Sequence, residues 1–289
     1  ISFHTKGGGA RPDPNAPKQT PDMHTLMRHV AAGLDIAGRF PGLAGREVIL
    51  SECDPDGWAA GSIRDNPNLA YRNTEYYASY VACTACKLLD LPAASGLRVD
   101  GMLTWAFQFE NRGYFEGLRT LVTNGIDKPV LNVFRLLAKL GGARLQLVSD
   151  RSRDPVAQGG ADDADAPADI SGIAAIDETG AMQVFLSSHH DDWDVTGGTE
   201  VRVCLSGLEP GRVYAVHQYV VDAEHSNAHS AWVQMGRPQQ PDEKQLKMLK
   251  DVALPKAHRL TELESTDGRC KISVMLQAHN VCLLTFVPV

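Results

Sequence analysis

At 289 residues, with 43% hydrophobic and 22% charged side chains, the chain has an ordinary globular make-up and room for two domains or one large barrel. Its net charge of −7 argues against a nucleic-acid partner or an anionic membrane surface, since both favour basic faces. No apolar run approaches the roughly 20 residues that a bilayer span needs. The opening Ile1-Ser2-Phe3-His4 has neither the charged nor the apolar region of a signal peptide. It also lacks an initiator Met and opens directly on a strand-like stretch, so the expectation is a processed or truncated piece of a longer protein.

In chain order, the first strand runs into Lys6-Gly7-Gly8-Gly9 and a Pro-rich loop ending at Pro21. Asp22 is placed to cap a helix over residues 23–40, with Leu26, Val30, Leu34 and Ala37 at helical spacing and Pro41-Gly42 ending it. A short apolar strand over 48–51 follows and delivers Glu52 to its C-terminal end. A long loop over 54–71, rich in Asp, Gly, Asn and Pro, comes next; loops of that length in compact domains are commonly functional. A helix over 75–91 stops at Pro92. A third strand is expected over 99–107, with Leu103, Trp105 and Phe107 on one face. After a loop over 108–125, a helix over 129–140 has Pro at its start and Gly141-Gly142 past its end, the expected asymmetry. Strand and helix alternate three times, which predicts parallel strands with right-handed crossovers. Three such units make half a barrel or a small open sheet.

Composition shifts over 150–170, where Asp, Ala, Gly and Pro read as a linker. Beyond it the apolar runs shorten to strand length, at 182–186, 201–205, 213–221, 272–277 and 281–287, with turn signals at Thr196-Gly197-Gly198 and Glu209-Pro210-Gly211. This half reads as an antiparallel β-sandwich interrupted by a helix at 241–251. The predicted domains are residues 1–148 and 149–289.

Six cysteines stand at 53, 83, 86, 204, 270 and 282. Cys83 and Cys86 share a helix face, but no second Cys/His pair stands at zinc spacing, so both read as buried helix residues. The usage suits a reducing, cytoplasmic compartment. Gly7-Gly8-Gly9 has neither a dinucleotide-binding nor a P-loop pattern, and no cofactor is expected. The run His189-His190-Asp191-Asp192-Trp193-Asp194 supplies fewer convergent ligands than its composition suggests, because neighbours on a strand face opposite ways. It reads as a polar strand end or turn, and no metal is expected. His217, His225 and His229, around Asp222 and Glu224, read as an interdomain loop.

The remaining chemistry-bearing residues fall at strand ends: His4 after the first strand, Glu52 after the second and Glu110 after the third, with Trp105, Phe107 and Phe109 alongside. Parallel strands bring such ends to one rim. Carboxylates beside aromatics suit sugars, whose ring faces stack and whose hydroxyls need acceptors.

Several runs resemble glycoside hydrolase family 39, the β-xylosidases: Ser51-Glu52-Cys53-Asp54-Pro55, Asn73 after Tyr71-Arg72, Leu103-Thr104-Trp105-Ala106-Phe107, and the stretch from Thr123-Asn124-Gly125 through Val133-Phe134. Ile1-Ser2-Phe3-His4 resembles the family's sixth barrel strand. His190-Asp191-Asp192 and His225-Ser226-Asn227 resemble its accessory β-sandwich. The resemblance implies the last three βα units of a (β/α)8 TIM barrel followed by a β-sandwich. It implies a retaining mechanism with Glu52 as nucleophile, His4 and Glu110 bonding sugar hydroxyls, and Trp105 walling the pocket for the non-reducing-end xylose, with Phe107 beside it. Glu116 is a second candidate for the role of Glu110. The substrate implied is a xylo-oligosaccharide or aryl β-xyloside, cleaved from its non-reducing end. The family's acid/base lies in an Asn-Glu-Pro motif, and no such motif occurs here. A three-strand piece is expected to associate with itself or with a missing N-terminal half, and a sugar-binding module that works only with a partner chain is the alternative reading.

Overall fold

The computed structural model describes residues 1–8, 18–91, 96–156 and 166–289. Gly9, the first part of the Pro-rich loop, Pro92 and the middle of the 150–170 linker lie outside the described residues.

In the first half, β1 (Ser2–Lys6) leads to α1 (Met23–Gly38) and β2 (Ile49–Asp54) to α2 (Glu75–Asp90). β3 (Gly101–Met102) leads through the short strands β4 (Val122–Thr123) and β5 (Ile126–Asp127) to α3 (Pro129–Leu137). The first three strands form a parallel sheet in the order β1-β2-β3. Asp22 caps α1, its carboxylate accepting from His24 N at 2.8 Å, and Leu26, Val30, Leu34 and Ala37 are buried along one stripe of the helix. Pro129 is the first residue of α3.

Two strand limits differ from those expected. β2 runs on to Asp54, so Glu52 lies within the strand and not after it. The third strand is two residues long instead of filling 99–107. Leu103 still joins the ladder, donating to Leu50 O (2.9 Å) and accepting from Cys53 N (2.7 Å). Then Thr104 Oγ1 (2.5 Å) and Trp105 N (3.4 Å) turn to the Asp54 carboxylate, and Ala106 N bonds to Arg119 O. These bonds take the chain off the sheet, and Leu103, Trp105 and Phe107 are 55%, 49% and 62% exposed.

The register of β1 on β2 contains a bulge. Phe3 pairs with Leu50 and His4 with Glu52, which leaves Ser51 as the extra residue. The consequence is directional. Leu50 and Cys53 both enter the core beneath α1 and α2, whereas Glu52 and Asp54 share the opposite face with His4 and Lys6.

The second half is antiparallel. Its strands are β6 (Ala143–Leu145), β7 (Asp169–Ile176), β8 (Met182–His189), β9 (Gly198–Ser206) and β10 (Val213–Val221), followed by β11 (His258–Glu264), β12 (Arg269–Gln277) and β13 (Asn280–Pro288). Between β10 and β11 lie α4 (Ala228–Gln234) and α5 (Glu243–Ala253). A six-stranded sheet in the order β11-β10-β13-β8-β7-β6 faces the pair β12-β9. Val184, Leu284 and Phe286 from the first share one core with Cys270, Val274 and Leu276 from the second. Because β6 pairs with β7, the larger sheet begins inside the segment 1–148.

α2 joins the two halves. Tyr80, Cys83 and Leu88 pack with α1 and β2. Tyr76, Tyr77, Val81 and Cys86 pack with α3 and with Phe185, Val221, Val281 and Leu283 of the antiparallel sheet. Among the described residues, no helix is long and apolar enough to cross a membrane.

Candidate active site

On the face that the bulge turns outward, three carboxylates alternate along β2 and its extension: Glu52, Asp54 and Asp56. Three cations answer them. Lys6 Nζ donates to Glu52 Oε2 (2.7 Å) and Asp54 Oδ2 (2.5 Å). Arg119 Nη2 lies 3.1 Å from Asp54 Oδ2 and 3.7 Å from Glu52 Oε2. Arg72 grips Asp56 through Nη2 (2.6 Å) and Nε (3.0 Å), and the Tyr71 hydroxyl donates to the same carboxylate. His4 Nδ1 stands 3.8 Å from Glu52 Oε1.

The three acids differ in environment. The side chain of Asp54 is completely shielded from solvent and that of Asp56 nearly so, whereas Glu52 keeps 28% exposure. The hydrogen bond from Lys6, with the charges of Lys6, His4 and Arg119, holds the Glu52 carboxyl below its ordinary range despite partial burial. Burial alone would raise Asp56, and the Arg72 and Arg119 guanidiniums reverse this, so it too is held low. Glu52 is therefore an ionised, half-accessible carboxylate whose Oε2 is occupied and whose Oε1 is open. It can act as a nucleophile or as an acceptor for a hydroxyl.

The structure brings some of the expected residues together and separates others. His4 and Glu52 are cross-strand neighbours. Trp105 stands beside them through its backbone, N to Asp54 and O to Arg119 Nε (3.0 Å), with its ring packed edge-on against Phe109. Phe107 is held by its carbonyl, which accepts from Leu121 N and Val122 N, and its ring is exposed. Glu110 does not join the cluster: it is exposed and, among the described residues, has no hydrogen bond or ion pair. Glu116 is mostly buried and pairs with Arg64 at 3.0 Å.

Lys6, Asp54, Asp56, Arg72 and Arg119 were not anticipated. The signal for the first three is in the sequence. His4 and Lys6, like Glu52, Asp54 and Asp56, are spaced by two, the period of one strand face. Arg72 comes from a 3-10 helix (Pro67–Asn73) and Arg119 from a distant loop, and neither leaves such a trace.

The histidine-rich runs do other work. His189 closes β8, its Nδ1 2.8 Å from Ser79 Oγ, and Asp191 Oδ1 accepts from Met23 N at 3.1 Å, so this run ties α1 and α2 to the antiparallel sheet. Lys18 pairs with Asp192 and Asp194. His225 Nδ1 lies 2.9 Å from Asp222 Oδ1 beside a cavity of about 480 Å³, while His229 packs on Phe115 and Trp232. Among the described residues no group of three or more His, Cys, Asp or Glu is arranged to hold a metal ion. Cys83 and Cys86 are buried, unbridged residues of α2.

A family profile described as glycosyl hydrolases family 39 matches residues 45–270. A β-xylosidase of Caldicellulosiruptor saccharolyticus is 23% identical over 225 residues, which cover 76% of this chain and 42% of that protein. Among solved structures, one described as the bacterial orthologue of human α-L-iduronidase aligns with a TM-score of 0.77 at 21% identity, over 100% of this chain and 49% of that one. A monomeric β-xylosidase from Caulobacter crescentus CB15 gives a TM-score of 0.67 at 19% identity, over 100% and 55%. The chain thus spans about half the length of the relatives it matches. At these identities the structural likenesses speak to the fold, and they take in both the parallel and the antiparallel sheets.

Proposed function

This chain belongs to glycosyl hydrolases family 39, and from that premise we propose that it carries the nucleophile of a retaining β-xylosidase. The parallel sheet is read as the last three strands of a (β/α)8 barrel and the antiparallel part as an accessory sandwich that begins with β6, a few residues before position 148. One observation carries the reading: Glu52 is an ionised carboxylate presented on a strand face beside His4, with one oxygen tethered by Lys6 and the other open.

In the reaction so proposed, Glu52 Oε1 attacks the anomeric carbon and the bond to the leaving oxygen breaks, that oxygen taking a proton from an acid. Water then attacks the same carbon, gives its proton to the conjugate base, and frees the Glu52 carboxylate. His4 and Trp105 border the sugar and Phe107 extends that border, whereas Glu110, expected to bond a sugar hydroxyl, stands outside the Glu52 cluster. The substrate is a xylo-oligosaccharide or aryl β-xyloside.

The acid is the open role. Retaining enzymes place it about 5–5.5 Å from the nucleophile. Asp54 and Asp56, the carboxylates sharing the face, are both committed to cations. The proton donor is therefore read as coming from outside this carboxylate cluster, either from another part of the protein or from a partner chain. The same observation defines the alternative, a rim that binds sugar and turns it over only when such a partner completes it.

The test is covalent trapping in the full-length protein. An activated 2-deoxy-2-fluoro-β-xyloside, whose leaving group needs little acid help, should leave an adduct that peptide mapping finds on Glu52. Glu52→Gln should show no adduct and only background hydrolysis. An adduct on another carboxylate, or equal turnover by Glu52→Gln, defeats the assignment. An α-L-iduronide run in parallel measures specificity against the sugar named for one structural relative.

A further inference from the structure

We propose that Lys6 is the positioning residue for Glu52: it clamps Oε2 to the buried anchor Asp54 and thereby reserves Oε1 for reaction. The inference rests on the reading of Glu52 as nucleophile and adds to it which oxygen reacts and what holds the other still.

The geometry is asymmetric in the way a clamp requires. Asp54 cannot move, because Thr104 Oγ1 holds Oδ1 at 2.5 Å, Arg119 lies 3.1 Å from Oδ2, and the side chain has no exposure. Glu52 is the mobile member, with 28% exposure and three side-chain torsions. Lys6 bridges the two through hydrogen bonds of 2.7 and 2.5 Å to Glu52 Oε2 and Asp54 Oδ2. Arg119 cannot replace it: at 3.7 Å from Oε2 it contributes charge and no hydrogen bond. On the other oxygen, His4 at 3.8 Å is likewise beyond bonding distance, and its side chain is 58% exposed, so nothing in this cluster occupies Oε1.

The backbone supports the same arrangement. Lys6 is the last residue of β1 and is in register with Asp54, and Gly7 N closes the ladder on Asp54 O at 3.2 Å. The ammonium therefore leaves a fixed point at the strand end. The bulge at Ser51 is what brings Glu52 to the same face. A single Lys thus settles two properties of the carboxylate: its rotamer, through one hydrogen bond, and its charge state, through proximity.

The experiment uses full-length protein and two readouts. Side-chain carboxyl NMR, with Glu52→Gln to assign the signal, follows the titration of Glu52 in the resting protein. The pH profile of kcat/KM on an activated aryl xyloside follows it in catalysis. In Lys6→Met the NMR midpoint and the acid limb should both move to higher pH, and kcat/KM should fall by about 10²-fold, the scale of a displaced reacting group. Lys6→Arg should restore much of the loss. In Asp54→Asn, which removes a like charge and the anchor, the midpoint should move to lower pH while the rate still falls. This variant serves if Lys6→Met does not fold. A Lys6→Met protein that is folded but has an unmoved midpoint overturns the proposal, as does an Asp54→Asn midpoint that stays in place. If trapping labels a residue other than Glu52, the nucleophile reading fails by itself, and the NMR series still reports whether Lys6 holds that carboxylate.

Discussion

Arg72 uses all five of its N–H donors inside the protein. Nε and one Nη2 hydrogen go to Asp56, the other Nη2 hydrogen goes to Trp58 O at 2.8 Å, and Nη1 serves Gly61 O at 2.9 Å and Gly117 O at 3.1 Å. Burying a charge pair this fully is unfavourable unless every donor and acceptor is satisfied, and here the guanidinium fork does that. Its partners lie on two long loops, one of which carries Arg119 to Glu52. Lys could not reproduce the contact, since an ammonium has neither the planarity nor the reach to serve both loops. Arg72→Met leaves the Asp56 charge buried without its bidentate partner and should cost about 3–5 kcal/mol of unfolding free energy. Urea denaturation checks it: the midpoint should fall with the slope unchanged, and a loss below about 1 kcal/mol would show the pair to be dispensable.

At the scale of elements, the parallel sheet has an open side. β1 is an edge strand, with β2 on one side and, among the described residues, no strand on the other. At the sheet's other edge, past the end of β3, Leu103, Trp105 and Phe107 are exposed. Unpaired backbone and exposed apolar side chains both invite pairing. These 289 residues prepared alone should therefore associate, with the apparent mass in light scattering rising with concentration. A constant monomer mass across the micromolar range sinks that expectation. The elements also divide by how well the sequence announces them. α1 was legible because Asp22 caps it and its apolar residues recur every three to four positions, and α3 because Pro129 starts it. The strand expected over 99–107 was misjudged because Leu103, Trp105 and Phe107 alternate as a strand face would, although their alternation serves a loop tied to Asp54 and Arg119. β11 escaped because it is an edge strand with little buried surface and hence no apolar pattern. β7 escaped because its Ser, Gly and Ala residues resemble the linker before it. Glu52 itself was legible, but its face was not, because a one-residue bulge is a property of the pairing of two strands and neither strand alone encodes it.

For the molecule as a whole, acid acts on stability through two histidines far from Glu52 in sequence. His279, buried against Tyr76 of α2 and His189 of the antiparallel sheet, is pushed by burial and by His189 and His190 down to about 3 from an ordinary 6.5. His229, partly buried against Phe115 and Trp232, falls to about 4 through desolvation and the charges of Lys128 and Arg237. Both are neutral in the folded protein where the unfolded chain would bind protons. Stability therefore holds above about pH 6.5 and is lost as pH falls from there towards pH 4, at about 1.4 kcal/mol per pH unit for each histidine. Denaturation series between pH 7 and pH 4 should show this slope, and His279→Gln should reduce it by one proton's worth. An unchanged slope would place the uptake elsewhere.

Twelve of the 16 residues of α2 are buried, and they are divided between a sheet on one side and a different sheet on the other. A helix with no solvent face to spare belongs to neither half, and this bears on ancestry. Modules joined by a free linker can be shuffled between genes, because each brings a finished surface to its new neighbour. Here a recombination event that replaced the antiparallel half would strand Tyr76, Tyr77 and Val81 against an unfitted surface, so the two halves are constrained to descend together as one inherited unit.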